Sequence, residues 1–209
     1  PYWAGAFLVT VFMIVYVILA GMRGVAWTDT LQGLFMLGMI WVAFVWILAE
    51  LGGPAAATAQ LETVAPEFLS LGGGLYSPQF ILSKAIGIAF GVAMFPQVNQ
   101  RFFVGKSKTV LKRSFALWPV LVILLFVPAF MLGAWAKGVG ISAADGDVLS
   151  QLLTAYTPGW FAALVIAGAL AAMMSSSDSM LLSGASYFTR DLYRPFVSPD
   201  ASDTREDML

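Results

Sequence analysis

The chain contains no cysteine and no histidine. Without cysteine there are no disulfides and no thiolate metal sites. Without histidine there is no imidazole to act as catalytic base, haem ligand or zinc ligand. Charge is also scarce: 11% of the residues are Asp, Glu, Lys or Arg, where a soluble domain carries about 25%. A net charge of −1 gives no general bias towards nucleic acid or other polyanions. No nucleophile–base pair, metal-ligand cluster or nucleotide loop stands out, so the sequence does not read as an enzyme and implies no organic cofactor.

Apolar residues are what the chain has in plenty. They make up 59% of its 209 residues, in runs of about 20 that suit helices crossing a bilayer about 30 Å thick. The sequence therefore predicts an all-α, polytopic helical membrane protein. Five spans are expected, at about residues 3–22, 26–49, 79–104, 115–136 and 159–188. They form one transmembrane unit over 1–197, and 198–209 is expected to be an acidic, solvated cytoplasmic linker. Pro1 is not an initiator, and the chain opens inside a hydrophobic stretch without the basic start or cleavage site of a signal peptide. It reads as a fragment of a longer protein.

The joints between spans alternate in charge. Gly21-Met22-Arg23-Gly24 is tight and basic, whereas 50–78 holds Glu50, Glu62 and Glu67 and no Lys or Arg. The next joint carries Arg101, Lys106, Lys108, Lys112 and Arg113; the one after, 137–157, is polar with Asp145, Asp147 and Lys137; Arg190 and Arg194 follow the last span. An excess of Lys and Arg marks cytoplasmic loops. The first span thus runs from outside to inside, the 101–113 loop and the Arg190 end are cytoplasmic, and a multi-pass protein of the plasma (inner) membrane is expected. The loop at 50–78 has room for a short interfacial helix around Gln60-Leu61-Glu62-Thr63-Val64.

Three polar features interrupt the apolar spans. The first is Ser175-Ser176-Ser177-Asp178-Ser179, near the middle of the last span. An acid at the centre of a spanning helix costs about 2.5–3.5 kcal/mol, so such residues usually face a bundle interior and handle ions, protons or substrate. On a 3.6-residue period Gly168, Ala172, Ser175, Ser179 and Ser186 share a face, with Ala171 and Asp178 beside it. One reading is a small-residue packing surface whose hydroxyls bond their own i−4 carbonyls. It accounts for the serines and leaves Asp178 unexplained. The other is an all-oxygen environment suited to a hard cation.

The second feature is Asp29, in Trp27-Thr28-Asp29-Thr30-Leu31-Gln32. Asp29 with Gln32 three residues on fits a helix N-cap with a reciprocal partner, and it equally fits an ion-handling acid. The two roles are compatible if the cap lies on a watery path. The third feature is the sequence Ser83, Gly87, Gly91 and Pro96 in the third span, followed by Gln97, Asn99 and Gln100. Proline frees a carbonyl about four residues earlier, near Val92. Broken helices at membrane depth line cavities; a simple kink with solvated amides is the alternative.

Together these residues resemble a known family. Tyr156-Thr157-Pro158-Gly159, then Ala169-Leu170-Ala171-Ala172-Met173-Met174-Ser175-Ser176-Ser177-Asp178-Ser179, then Thr189-Arg190-Asp191-Leu192-Tyr193, is similar to the signature helix of the sodium:solute symporter family. That family includes sodium/proline, sodium/pantothenate and sodium/glucose cotransporters. Trp27-Thr28-Asp29-Thr30-Leu31-Gln32 and Gln100-Arg101-Phe102-Phe103-Val104-Gly105-Lys106 resemble two further family motifs, in the family's order.

The resemblance implies an inverted-repeat transporter core, with the five spans as the fourth to eighth of its ten helices. It implies a secondary active transporter that couples inward sodium movement to uptake of a small organic solute by alternating access. Sodium is then the coupling ion, and its ligands would be the carbonyl of Ala172 and the hydroxyls of Ser175 and Ser176. A second sodium site, in some members, would use Asp29 with Ser175, Asp178 and Ser179. The acid at 178 departs from the hydroxyl of some members, and two nearby carboxylates favour either a bound cation or one shared proton.

For the solute, Phe95-Pro96-Gln97 ahead of Arg101-Phe102 looks closer to the proline, pantothenate and monocarboxylate branch than to the sugar branch, although many members carry His where Gln97 stands. Phe95, Gln97 and Asn99 are the expected solute contacts. The expected partners are thus an amino acid, pantothenate or a monocarboxylate ahead of a sugar, together with sodium and the bilayer, and no nucleic acid. Two alternatives accompany this reading: a transporter-like sensory domain, which a kinase module beyond Leu209 would reveal, and a proton-coupled symporter, which would work without sodium.

Overall fold

The computed structural model describes residues 2–70, 77–103 and 105–197. The linker expected over 198–209 lies outside the described residues. Among those described, every regular element is helical.

The first apolar stretch, Tyr2–Glu50, is broken at Gly21, where φ is 56° and ψ is −165°. Glycine enters that backbone region freely and residues with a Cβ hardly at all. The break separates α1 (Trp3–Leu19) from α2 (Arg23–Glu50). Because α2 starts at Arg23, Asp29 sits in its second turn with its backbone already in the helical ladder. Asp29 is therefore not an N-cap, and Gln32, whose Oε1 has no hydrogen-bond partner among the described residues, is not its reciprocal partner.

The chain continues as α3 (Pro54–Val64), α4 (Pro78–Met94), α5 (Pro96–Phe103), α6 (Lys108–Gly138), α7 (Val148–Tyr156) and α8 (Gly159–Tyr187). A π-helical turn, Phe188–Tyr193, extends α8 towards Phe196. Helices α2, α6 and the extended α8 are each long and apolar enough to cross a membrane; α4 and α5 together make a broken span, and α1 is a shorter apolar helix. The chain is a polytopic helical membrane protein. Pro96 opens α5 at its first position, where a missing N–H costs nothing. The Phe95 carbonyl accepts from the N–H groups of Val98 at 3.0 Å and Asn99 at 3.1 Å. The third apolar stretch is thus two helices with a break, and the simple proline kink does not hold.

Among the described residues two compact units are present: one comprises 2–34, 95–103 and 170–197, the other 35–70, 77–94 and 105–169. In the second, Ile40, Ala43, Phe44, Ile47 and Leu51 recur at helical spacing and are buried with Leu132, Trp135 and Ala136 of α6 and Ala57 and Leu61 of α3. Phe44 stacks on Trp135 with ring centres 5.9 Å apart, and Trp46 on Phe161 at 5.1 Å. Helix α3 runs against the end of α6 so closely that a Cβ on Gly138 would lie 2.8 Å from the Leu61 nitrogen. Inside α6, Pro128 removes the N–H that would bond the Leu124 carbonyl. The indole Nε1 of Trp41 donates to that carbonyl at 2.8 Å.

Two connectors hold more structure than their sequence suggests. The 50–78 loop contains the eleven residues of α3 and a 3₁₀ turn, Pro66–Leu69. The joint at 137–157, polar on average, contains α7. Asp147 caps it, its carboxylate accepting from the Ser150 N–H at 2.9 Å and the Ser150 hydroxyl at 2.7 Å, and α7 buries Leu152 and Leu153.

Candidate functional site

The first unit has little apolar core: Val17, Val25 and Leu182, with Tyr16 against them, and a buried Met13 on α1. Its buried polar side chains are Asp178, Ser179 and Ser183, all on α8. These fall on the side of the helix that the 3.6-residue period marks out. Along α8 several serine hydroxyls bond within the helix: Ser177 donates to the Met173 carbonyl at 3.1 Å, Ser179 to the Ser175 carbonyl at 3.0 Å and Ser186 to the Leu182 carbonyl at 2.9 Å. Such back-bonding lets serine reside in an apolar helix.

Asp178 is fully buried and accepts a hydrogen bond from the Tyr16 hydroxyl of α1. Asp29 of α2 accepts from Arg101 of α5, Oδ2 to Nη2, at 2.5 Å. The same Nη2 donates to the Ser179 hydroxyl. Beside Arg101, Gln100 uses both ends of its amide. Its Nε2 donates to the Ser186 hydroxyl at 3.0 Å, and its Oε1 accepts from the Ser183 hydroxyl at 2.7 Å. Five side chains from three further helices are thus tied to α8 or to one another: Tyr16, Asp29, Gln100 and Arg101 by hydrogen bonds, and Val25 by apolar contact.

The residues expected to hold sodium fall into two sets. In the first, the Ser176 hydroxyl lies 3.4 Å from the Ala172 carbonyl, a separation at which one small cation could contact both oxygens. Ala172 and Ser175 are half-buried and Ser176 is exposed. In the second, Asp29 and Ser179 meet through Arg101, and Asp178 is held by Tyr16, with Asp29 within electrostatic reach of both Asp178 and Tyr16. Among the described residues, three buried oxygens here have no hydrogen-bond partner: Oδ1 of Asp29, Oε1 of Gln32 and Oδ1 of Asp178. A buried acceptor left unsatisfied costs about 1–3 kcal/mol, and all three are hard oxygen donors of the kind a sodium ion accepts. The chemistry of the set therefore fits a hard cation.

The residues expected to touch solute lie at the break. Phe95 is the half-exposed residue between α4 and α5, and Gln97 and Asn99 are half-buried on α5. No hydrogen bond among the described residues joins these three side chains to the oxygens of 172–179. Sequence reasoning missed Tyr16 and the contacts of Gln100, Arg101 and Ser183. Tyr16, a hydroxyl within an apolar helix, was a signal that could have been read; the reach of Arg101 was not visible without the fold.

Comparison with known proteins agrees with this picture. The family model described as "Sodium:solute symporter family" matches residues 1–209. The chain is 27% identical over 183 residues to a sodium/pantothenate symporter of Haemophilus influenzae, covering 86% of this chain and 38% of that protein. It is 29% identical to the sodium/proline symporter of the same organism, covering 91% of this chain and 40% of the relative. A sodium/glucose cotransporter of Vibrio parahaemolyticus is 26% identical, with 92% of this chain and 41% of the relative covered. The chain thus spans about two fifths of the length of these relatives. No solved structure matches. With its family model matched from end to end, and with hydroxyl-bearing and broken helices where the motifs lie, the chain belongs to the sodium:solute symporter family.

Proposed function

We propose that the protein of which this chain is part is a secondary active transporter of the plasma membrane, coupling inward sodium movement to uptake of a small organic solute. The observation that carries this reading is the oxygen pair of α8, the Ala172 carbonyl and the Ser176 hydroxyl 3.4 Å apart, within a chain of this family. Ala172, Ser175 and Ser176 supply one sodium site, completed by groups outside this chain. Asp29, Asp178 and Ser179 form a second cation-handling set. Phe95, Gln97 and Asn99, at the break between α4 and α5, contact the solute, since unwound backbone at membrane depth exposes polar groups to a cavity.

The preference for an amino acid or organic acid ahead of a sugar rests on Phe95-Pro96-Gln97 ahead of Arg101-Phe102; the relatives named for pantothenate, proline and glucose are similar to this chain to nearly the same degree, at 26–29% identity. Each sodium moved inward gains about 2.3 kcal/mol per 100 mV of membrane potential, enough to concentrate an uncharged solute roughly 50-fold at about 1.4 kcal/mol per tenfold. The inverted-repeat core, to which this chain contributes three long helices, a broken span and the shorter α1, provides alternating access by rocking one helix set against another around the site.

The test is uptake of labelled proline, pantothenate, short monocarboxylates and glucose by the full-length protein in proteoliposomes, with sodium or choline outside. Uptake by the wild type requires sodium. In Ser176→Ala the sodium concentration for half-maximal uptake rises several-fold, as expected for one lost ligand worth about 1 kcal/mol. Sodium-independent uptake driven by a pH gradient would overturn the reading and make Asp29 and Asp178 a proton relay.

A further inference from the structure

Positive charge in a cytoplasmic joint accounts for Arg101 by topology alone, yet its side chain is turned onto the site. One nitrogen, Nη2, serves both Asp29 Oδ2 at 2.5 Å and the Ser179 hydroxyl. Those are two of the oxygens in the second cation set. The partners differ in exposure: the Arg101 side chain is 53% exposed and that of Asp29 only 13%. An enclosed carboxylate is costly to leave without a counter-charge. A guanidinium half in the open, permanently charged and on a long stem, is the partner that can leave.

We infer that Arg101 is a tethered cation that competes with sodium for Asp29 and Ser179. The inference rests on the sodium coupling proposed above. The guanidinium occupies the pair in this structure; when sodium binds, it swings out and the ion takes its place. Asp29 exchanges one positive charge for another, so the enclosed acid is never bare. Its second oxygen, Oδ1, is buried and without a partner among the described residues while Arg101 holds Oδ2. Sodium can therefore make its first bond to Oδ1 before the guanidinium leaves. Running in reverse, the return of Arg101 displaces sodium, which makes release on the α5 side an exchange between cations and avoids an uncompensated charge separation. Gln100, tied to Ser183 and Ser186, holds the backbone of α5 in place while the neighbouring side chain moves.

A purely structural ion pair and a competitor predict opposite signs. Neutralising a structural arginine loosens the site and weakens sodium binding; neutralising a competitor tightens it. The measurement is equilibrium binding of radiosodium to the purified full-length protein by scintillation proximity. It is made for wild type, Arg101→Gln, Arg101→Met and Arg101→Lys, and for Arg101→Gln in an Asp29→Asn background. Both neutral variants are expected to bind sodium about two- to fivefold more tightly, the range for a pair whose cation is this exposed. Arg101→Lys keeps a competing charge and stays closer to wild type, and Arg101→Gln has no effect once Asp29 is neutral. Unchanged or weaker binding in the neutral variants overturns the inference, as does tightening that persists without the Asp29 charge. The Met variant decides if the Gln variant does not elute as a single species. Wild-type protein that binds no sodium defeats the sodium reading itself, an outcome separate from a wrong sign in the variants.

Discussion

Gly138 and Gly133 lie on the same helix, α6, and the same substitution should act on them with opposite signs. A methyl added at Gly138 would meet the Leu61 nitrogen at 2.8 Å, the Leu61 Cα at 3.0 Å and the Gln60 carbonyl carbon at 3.3 Å. All three are backbone atoms, so no rotamer change can relieve the contact. Ordinary van der Waals contact begins near 3.4 Å, and α3 would have to retreat by roughly half an ångström, dragging Ala57 and Leu61 out of the buried cluster. Overpacking of this kind costs about 1–3 kcal/mol. Gly138 is the last residue of α6, so alanine there recovers little of the roughly 0.5–1 kcal/mol it gains over glycine in mid-helix, and most of the overpacking cost remains. A methyl at Gly133 meets nothing within 4 Å among the described residues, so Gly133→Ala keeps the full helical gain of about 0.5–1 kcal/mol. Melting followed by fluorescence-detected size exclusion of the detergent-solubilised full-length protein should place the two variants on either side of wild type, a few degrees apart. If Gly138→Ala melts at or above wild type, α3 does not approach α6 as described.

Gly21→Ala should cost about 1–3 kcal/mol, because φ 56° with ψ −165° is closed to alanine; unaltered melting would show that the break between α1 and α2 does not need this backbone. A double-mutant cycle of Tyr16→Phe and Asp178→Asn, unfolded in mixed micelles, should return a coupling of about 0.5–3 kcal/mol, and additive effects would refute their hydrogen bond. Asp147→Ala removes the cap of α7 and should lower stability by about 1 kcal/mol, with little effect on sodium dependence. Ser176→Ala should separate the two readouts in the other direction, raising the sodium requirement with melting near wild type, since the residue is exposed and its 3.4 Å bond is long.

Much of the architecture was readable because a bilayer imposes simple rules. Apolar runs marked the long helices, and Pro96 marked the break that separates α4 from α5. The 3.6-residue period of the last helix picked out the side on which Asp178 and Ser179 are buried. Asp29 was misread as a possible cap because a capping box has the same i, i+3 spacing as any two neighbours on a helix face. The decisive fact was the helix start, fixed by one glycine torsion. Helix α7 was hidden because it is only nine residues long and lies in a joint that reads as polar from Asp145, Asp147 and Lys137; packing shows that Leu152 and Leu153 are buried. The pairings of Tyr16 with Asp178 and of Arg101 with Asp29 join residues 162 and 72 positions apart; such pairs follow from tertiary placement, which local pattern does not encode.

The bond from Trp41 to the Leu124 carbonyl carries an implication for how this chain can change over time. That carbonyl is available because Pro128 cannot donate to it. Restore a backbone N–H at 128 and the helix reclaims its own acceptor, stranding the indole; remove the indole while the proline remains and the carbonyl is stranded instead. Each substitution alone is penalised and the pair together much less so. Positions 41 and 128 should therefore drift as a linked pair among related chains, a compensatory signature left by a single hydrogen bond.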